Sequence, residues 1–146
     1  MNAEKIRKFN RFYTRVLGLM NQYTDKSKFT LLETQLLYEI NRNKGCSAND
    51  LINFFQLDKG YLSRVLKKLE SQNAVIRHYS SEDKRKIKLY LTNDGKKELD
   101  DLIALSNCYV LSMVDQIPEE EQLKLIKAME QIELILTEFV DQKRNK

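Results

Sequence analysis

Residues 58–91 read DKGYLSRVLKKLESQNAVIRHYSSEDKRKIKLYL, and the spacing of their apolar positions changes partway along. Leu62, Val65, Leu66 and Leu69 recur at three- and four-residue steps behind Asp58, a good N-cap, which predicts a helix with one buried face. Asn73 tolerates left-handed backbone and ends that helix. Residues 75–79 and 86–91 are then rich in β-formers, and Ile87, Leu89 and Leu91 alternate with Lys86, Lys88 and Tyr90, so one face is apolar and the other basic. The polar run 80–85 between them makes this a hairpin with a long charged tip.

Working outward, Thr30 and Glu33 have the spacing of a capping box, in which each side chain accepts from the other residue's backbone amide. A helix follows through Leu31, Leu36, Leu37 and Ile40, and Gly45 marks its end. Ser47 and Asp50 repeat the box and open a helix of about two turns that carries Ala48, Leu51, Ile52 and Phe55. Upstream, Ile6, Phe9, Tyr13, Val16, Leu17 and Met20 place an amphipathic helix at 3–23. Downstream, Thr92 caps a long helix at 93–116, and Pro118 with Glu119, Glu120 and Glu121 opens another that runs to 142. Both carry more apolar surface than one chain of this size has body to cover. Short helix, tight turn, second helix and basic hairpin together describe a helix-turn-helix with a wing. The expected fold is mainly α with a small β-hairpin wing, a winged helix-turn-helix core at 30–92 flanked by long N- and C-terminal dimerisation helices at 3–23 and 93–142, all in one domain spanning 1–146.

With 146 residues, 42% hydrophobic and 32% charged, the composition is that of an ordinary folded domain. No apolar run approaches the roughly 18 residues that cross a bilayer, and the N-terminal segment is polar, so a cytoplasmic protein without membrane contact is expected. Cys46 and Cys108 are too few for a disulfide framework or a metal cluster. No glycine-rich phosphate loop, nucleophile–base pair or metal motif is present, so neither an enzyme nor a cofactor is expected. Charge is segregated: residues 59–97 hold eleven Lys/Arg against four Asp/Glu, and the remainder holds fourteen against seventeen. A solvated basic face and a phosphate-backbone footprint both produce that pattern.

Opposite the apolar face of the 58–72 helix lie Lys59, Gly60, Tyr61, Ser63, Arg64, Lys67 and Lys68. A helix held by an apolar inner face and offering polar side chains outward is what major-groove reading of double-stranded DNA requires. Tyr61 and Arg64, near its N-terminus, are candidates for base edges, because Arg is the usual bidentate partner of guanine. Lys59, Lys67 and Lys68 are candidates for phosphates, which set affinity but carry no sequence information. Gly60 either lets the backbone approach DNA closely or is simply tolerated at a helix start.

The run Asp83, Lys84, Arg85, Lys86, Ile87, Lys88, Leu89, Tyr90, Leu91, Thr92, with Gly95 three residues on, resembles the wing signature of the MarR family of bacterial transcriptional regulators. Residues 57–70 are similar to that family's recognition helix, and Asn73 stands where the family commonly has glycine. The resemblance covers nearly the whole chain. It implies a winged homodimer in which Arg85 enters the minor groove and Asp83 pairs with it to hold its orientation, although the two could instead be an exposed ion pair in a loop. A narrow minor groove concentrates negative potential and favours an inserted guanidinium. The resemblance also implies that the first helix and the last two interleave with those of a second subunit, and a two-fold dimer calls for a palindromic operator.

Family members often bind a small anionic or aromatic effector, for which Tyr13, Tyr23, Tyr38 and Tyr109 are candidates as well as ordinary core residues. Cys46, in a loop beside Lys44, is read as an exposed thiol open to redox sensing, and Cys108, in a long apolar helix, as inert packing. His78 stands alone without a second ligand at useful spacing and suits a surface or phosphate-facing position. The expected function is a DNA-binding repressor. Its competitors are a winged-helix module that pairs with another regulator and a thiol sensor that uses Cys46.

Overall fold

The computed structural model describes residues 2–16, 27–83 and 85–142. Helix α1 covers Ala3–Val16, and the expected continuation to residue 23 lies outside the described residues. Then follow α2 (Leu31–Arg42), α3 (Ala48–Phe55), α4 (Lys59–Ser71), β1 (Val75–Tyr79), β2 (Ile87–Leu91), α5 (Asn93–Val114) and α6 (Glu119–Leu136), which continues as a wider π turn over Thr137–Asp141. Both capping boxes form, Thr30 with Glu33 and Ser47 with Asp50, and Asp58 caps α4 by accepting from the amide of Tyr61 at 3.0 Å. Asn73 takes the left-handed conformation at φ 58°.

The long helix α5 stops at Val114, two residues before its expected end. Ile117 precedes a proline and is disfavoured in helical backbone, and the chain turns there with the Ile117 amide donating to the Val114 carbonyl at 2.8 Å. The Gln122 side-chain amide donates to the carbonyls of Val114 and Ile117 at 3.1 and 2.7 Å, supplying donors that the helix end has lost.

The core lies in residues 29–102. Leu36, Leu37 and Ile40 of α2, Leu51 of α3, Leu62, Leu66 and Leu69 of α4, Leu89 of β2 and Leu99 of α5 are all buried in one cluster. By contrast α1 and α6 contribute no buried residue, and α5 contributes none beyond Leu102. The strands pair antiparallel, with Val75 opposite Leu91 and Tyr79 opposite Ile87. A third partner joins them, because Cys46 bridges to Leu89. The amide of Leu89 donates to the Cys46 carbonyl at 2.9 Å, and the amide of Gly45 donates to the Leu89 carbonyl at 3.0 Å. Gly45 makes this turn at φ 82°, a conformation that L residues rarely adopt.

This bridge overturns the reading of Cys46 as an exposed thiol. Strand pairing draws it into the core, where it is buried. Burial, helped by the negative fields of Asp50 and Glu39, pushes its thiol up to about 11, so the reactive thiolate is suppressed at neutral pH. Cys108 differs in the opposite direction: it lies on an exposed side of α5 rather than packed inside.

Where β1, β2 and α5 meet, Thr92 donates through its amide to the Ala74 carbonyl at 3.0 Å and accepts the Gly95 amide on its hydroxyl at 2.9 Å. A Cβ on Gly95 would fall 2.0 Å from the Ala74 carbonyl oxygen, inside the backbone itself. No side-chain rotation relieves that overlap.

Gly95→Ala is therefore expected to cost about 3 kcal/mol or more in denaturant unfolding, at the severe end of overpacking. Gly60→Ala, whose Cβ would meet only the side chains of Asp58 and Arg64, should stay within about 1 kcal/mol; equal losses would refute the contrast. In a Cys108→Ser chain at neutral pH, maleimide should label Cys46 at least about a hundredfold more slowly in the native protein than in denaturant. Prompt native labelling would show that the thiol is open.

Candidate nucleic-acid interface

Helix α4 presents two faces. At about 100° per residue, Leu62, Val65, Leu66 and Leu69 share one side, and all four are buried. Gly60, Arg64 and Lys67 fall opposite them, and all three are exposed. Lys59 and Tyr61 are exposed as well, while Ser63 is half-buried. The Arg64 guanidinium lies over the Tyr61 ring, 5.9 Å from its centroid, which orders a long side chain at the helix start. A Cβ at Gly60 would stand 3.6 Å from Arg64 Nη1, an ordinary contact, so this arrangement does not itself require glycine. Neither Lys59, Arg64 nor Lys67 joins an ion pair among the described residues.

Lys68 is different. Its ammonium sits 2.6 Å from Oε1 of Glu33, a residue only 5% exposed at the start of α2. Farther along α4, Glu70 pairs with Arg77 of β1, tying the helix to the wing. Neither partnership was read from the sequence, because each joins residues that only the tertiary fold brings together. The turn between α3 and α4 was equally hidden: Gln56, a residue type without special left-handed preference, adopts φ 55° there.

In the wing, the hairpin closes with the Ser80 amide donating to the Lys86 carbonyl at 3.0 Å. Asp83 does hold its neighbour, but through the backbone: its Oδ1 accepts from the Arg85 amide at 3.0 Å, the local turn that aspartate favours. No ion pair among the described residues joins the Asp83 carboxylate to the Arg85 guanidinium. Arg85 and Lys86 are exposed, and Lys84 lies outside the described residues. His78 is also exposed, stacked edgewise on Tyr90 at 5.2 Å.

The candidate effector tyrosines divide between two cavities. Tyr38 lines one of about 380 Å³ with Phe54, Phe55, Glu39, Leu102 and Asn107. Tyr13 lines another of about 550 Å³ with Phe9, Met113, Met129 and Ile132, bounded by α1, α5 and α6. Tyr109 lines neither, and Tyr23 lies outside the described residues. Among the described residues no group of His, Cys, Asp and Glu is placed to hold a metal ion, and no helix is long and apolar enough to cross a membrane.

Comparison with known proteins agrees with this geometry. Residues 29–87 match the model of the MarR family. The HTH-type transcriptional regulator BilQ of Clostridioides difficile is 26% identical over 102 residues, covering 70% of this chain and 68% of its own length. Among solved structures, Streptococcus pneumoniae FabT in complex with DNA superposes with a TM-score of 0.74 at 18% identity, covering 94% of this chain and 99% of that one. Bordetella bronchiseptica BpsR, whose structure addresses regulation of DNA binding by 6-hydroxynicotinic acid, gives 0.66 at 18% identity, covering 87% and 91%. Over residues 29–87 the chain is thus similar in sequence to the MarR family, and along most of its length it shares the winged helix-turn-helix fold of these solved structures.

Proposed function

We propose that this protein is a cytoplasmic, sequence-specific repressor that binds a palindromic double-stranded DNA operator as a homodimer. In this reading α4 enters the major groove, with Tyr61 and Arg64 at base edges, Gly60 allowing close approach and Lys59, Ser63 and Lys67 toward the backbone. Arg85 enters the minor groove, its backbone held by Asp83 and flanked by Lys84 and Lys86. The observation that carries the proposal is that Lys59, Arg64, Lys67 and Arg85 are exposed and join no ion pair among the described residues, on elements anchored to one core. Cations so placed meet phosphates and base edges without first giving up an internal partner. FabT, a neighbour in fold, was solved in complex with DNA.

Surface area supports the dimer. A compact monomer of 17.3 kDa exposes about 7,800 Å², whereas this chain exposes 11288 Å². The excess coincides with apolar residues on the outlying helices, including Phe12, Leu111, Leu123, Leu134 and Phe139, each more than half exposed. Burying such surface in a two-fold partner is the usual solution.

The cavity lined by Tyr38 suits a small aromatic effector, because Phe54, Phe55, Leu102 and Ile103 give it apolar walls. Its single charged lining residue, Glu39, is already bonded by Arg42 at 2.7 and 3.1 Å, and its lining holds no Lys, Arg or His. An uncharged aromatic fits that lining better than an anion does.

Binding to a duplex selected from random-sequence DNA should weaken steeply with salt, with a log–log slope near −5 if each subunit neutralises about three phosphates. Arg85→Ala and Arg64→Ala should each weaken it about tenfold or more, Arg64→Ala also relaxing preference at its base position. The mass in solution should be twice 17.3 kDa. A flat salt response would refute the DNA reading, and a monomer at micromolar concentration the dimer.

A further inference from the structure

We propose that Lys68 is a positioning residue, one that sets the pose of the recognition helix through Glu33 and does not itself touch DNA. This rests on the reading of α4 as the DNA-contacting helix. Lys67 and Lys68 are adjacent in sequence, but a step of about 100° sends them to different sides of α4. Lys67 falls opposite the buried leucines and joins no ion pair among the described residues. Lys68 falls on a flank of α4, its side chain 48% exposed, and its ammonium lies 2.6 Å from Glu33 Oε1.

Glu33 has no easy alternative. Its side chain is 7% exposed with the lysine in place, so a carboxylate left without that partner is poorly solvated. Its second oxygen accepts from the Thr30 amide at 3.0 Å, closing the capping box at the start of α2, where the helix dipole also favours a negative charge. One carboxylate thus fixes the start of α2 and grips the third turn of α4, joining residues 35 apart in sequence. An ammonium so engaged would have to abandon a buried anion to reach a phosphate, while Lys67 makes the same contact without that loss.

A four-protein cycle tests the assignment: the full chain, Lys68→Met, Glu33→Gln and the double variant, with Lys67→Met as comparison. Each is read by thermal unfolding and by the salt dependence of binding to a duplex selected by the unaltered protein. Lys68→Met strands the buried carboxylate and should lower the melting temperature by several degrees and the affinity about tenfold or more. Adding Glu33→Gln removes the stranded charge while keeping an acceptor for Thr30, and should restore most of both. The salt slope should be unchanged in all three variants, because no phosphate contact is lost, whereas Lys67→Met should flatten it by about one for each subunit's lost contact with no loss of melting temperature. Lys68→Met flattening the slope as Lys67→Met does, without rescue by Glu33→Gln, would overturn the proposal. If Lys68→Met does not fold, a folded double variant with the original slope supports the proposal, and a double variant with a flattened slope overturns it. Should the unaltered protein bind no duplex, the DNA reading falls and with it the role of Lys68 in setting a DNA pose; the melting cycle would then still decide whether the two residues are coupled.

Discussion

Thr92 and Gly95 bring the first turn of α5 against the backbone at Ala74, at the spot where α4 ends and the wing begins. The Thr92 hydroxyl donates to the carbonyl of Asn73 while its amide donates to that of Ala74, so one residue holds both sides of the turn that separates α4 from the hairpin. The Asn73 side chain donates in return to Asp94 at 2.7 Å. With no room for even a methyl group at position 95, the helix cannot slide along this contact. The first turn of α5 is thus held against the end of α4 and the start of the wing together.

Charge is partitioned around α4 in a way that separates two tasks. Along its flanks, Lys68 with Glu33 and Glu70 with Arg77 tie it to α2 and to β1. Along its outward ridge, Arg64 and Lys67 face solvent. Pairs that include a shielded carboxylate resist screening by salt better than exposed ones, so the placement of the helix should change little as ionic strength rises.

Much of this architecture was legible from local signals. Caps at Thr30, Ser47, Asp58 and Thr92 act within three residues of themselves, and the burial of Leu62, Val65, Leu66 and Leu69 follows from helical spacing alone. What stayed hidden was non-local. Cys46 looked like a loop thiol until its pairing with Leu89, 43 residues on, drew it into the sheet. Lys68 looked like its neighbour Lys67 until Glu33 arrived beside it. Gln56 gave no sign of its left-handed backbone, because the geometry of the α3–α4 turn, and not the residue's own preference, sets it there. Gly95 was visible as part of a signature, yet its reason, the carbonyl of Ala74, is 21 residues away.

The wing is built in two zones with different tolerances. Its base is paired three ways, through β1, β2 and the Cys46 bridge, and Leu89 at its centre is buried. Beyond the bond from Ser80 to Lys86 the described tip is held only by short-range turns, with no side chain anchored in the core. Insertions, deletions and exchanges in the tip should therefore leave the lobe folded, whereas changes at Leu89 or Cys46 disturb its core. The length and chemistry of the hairpin's end are in this sense decoupled from the stability of the lobe that carries it.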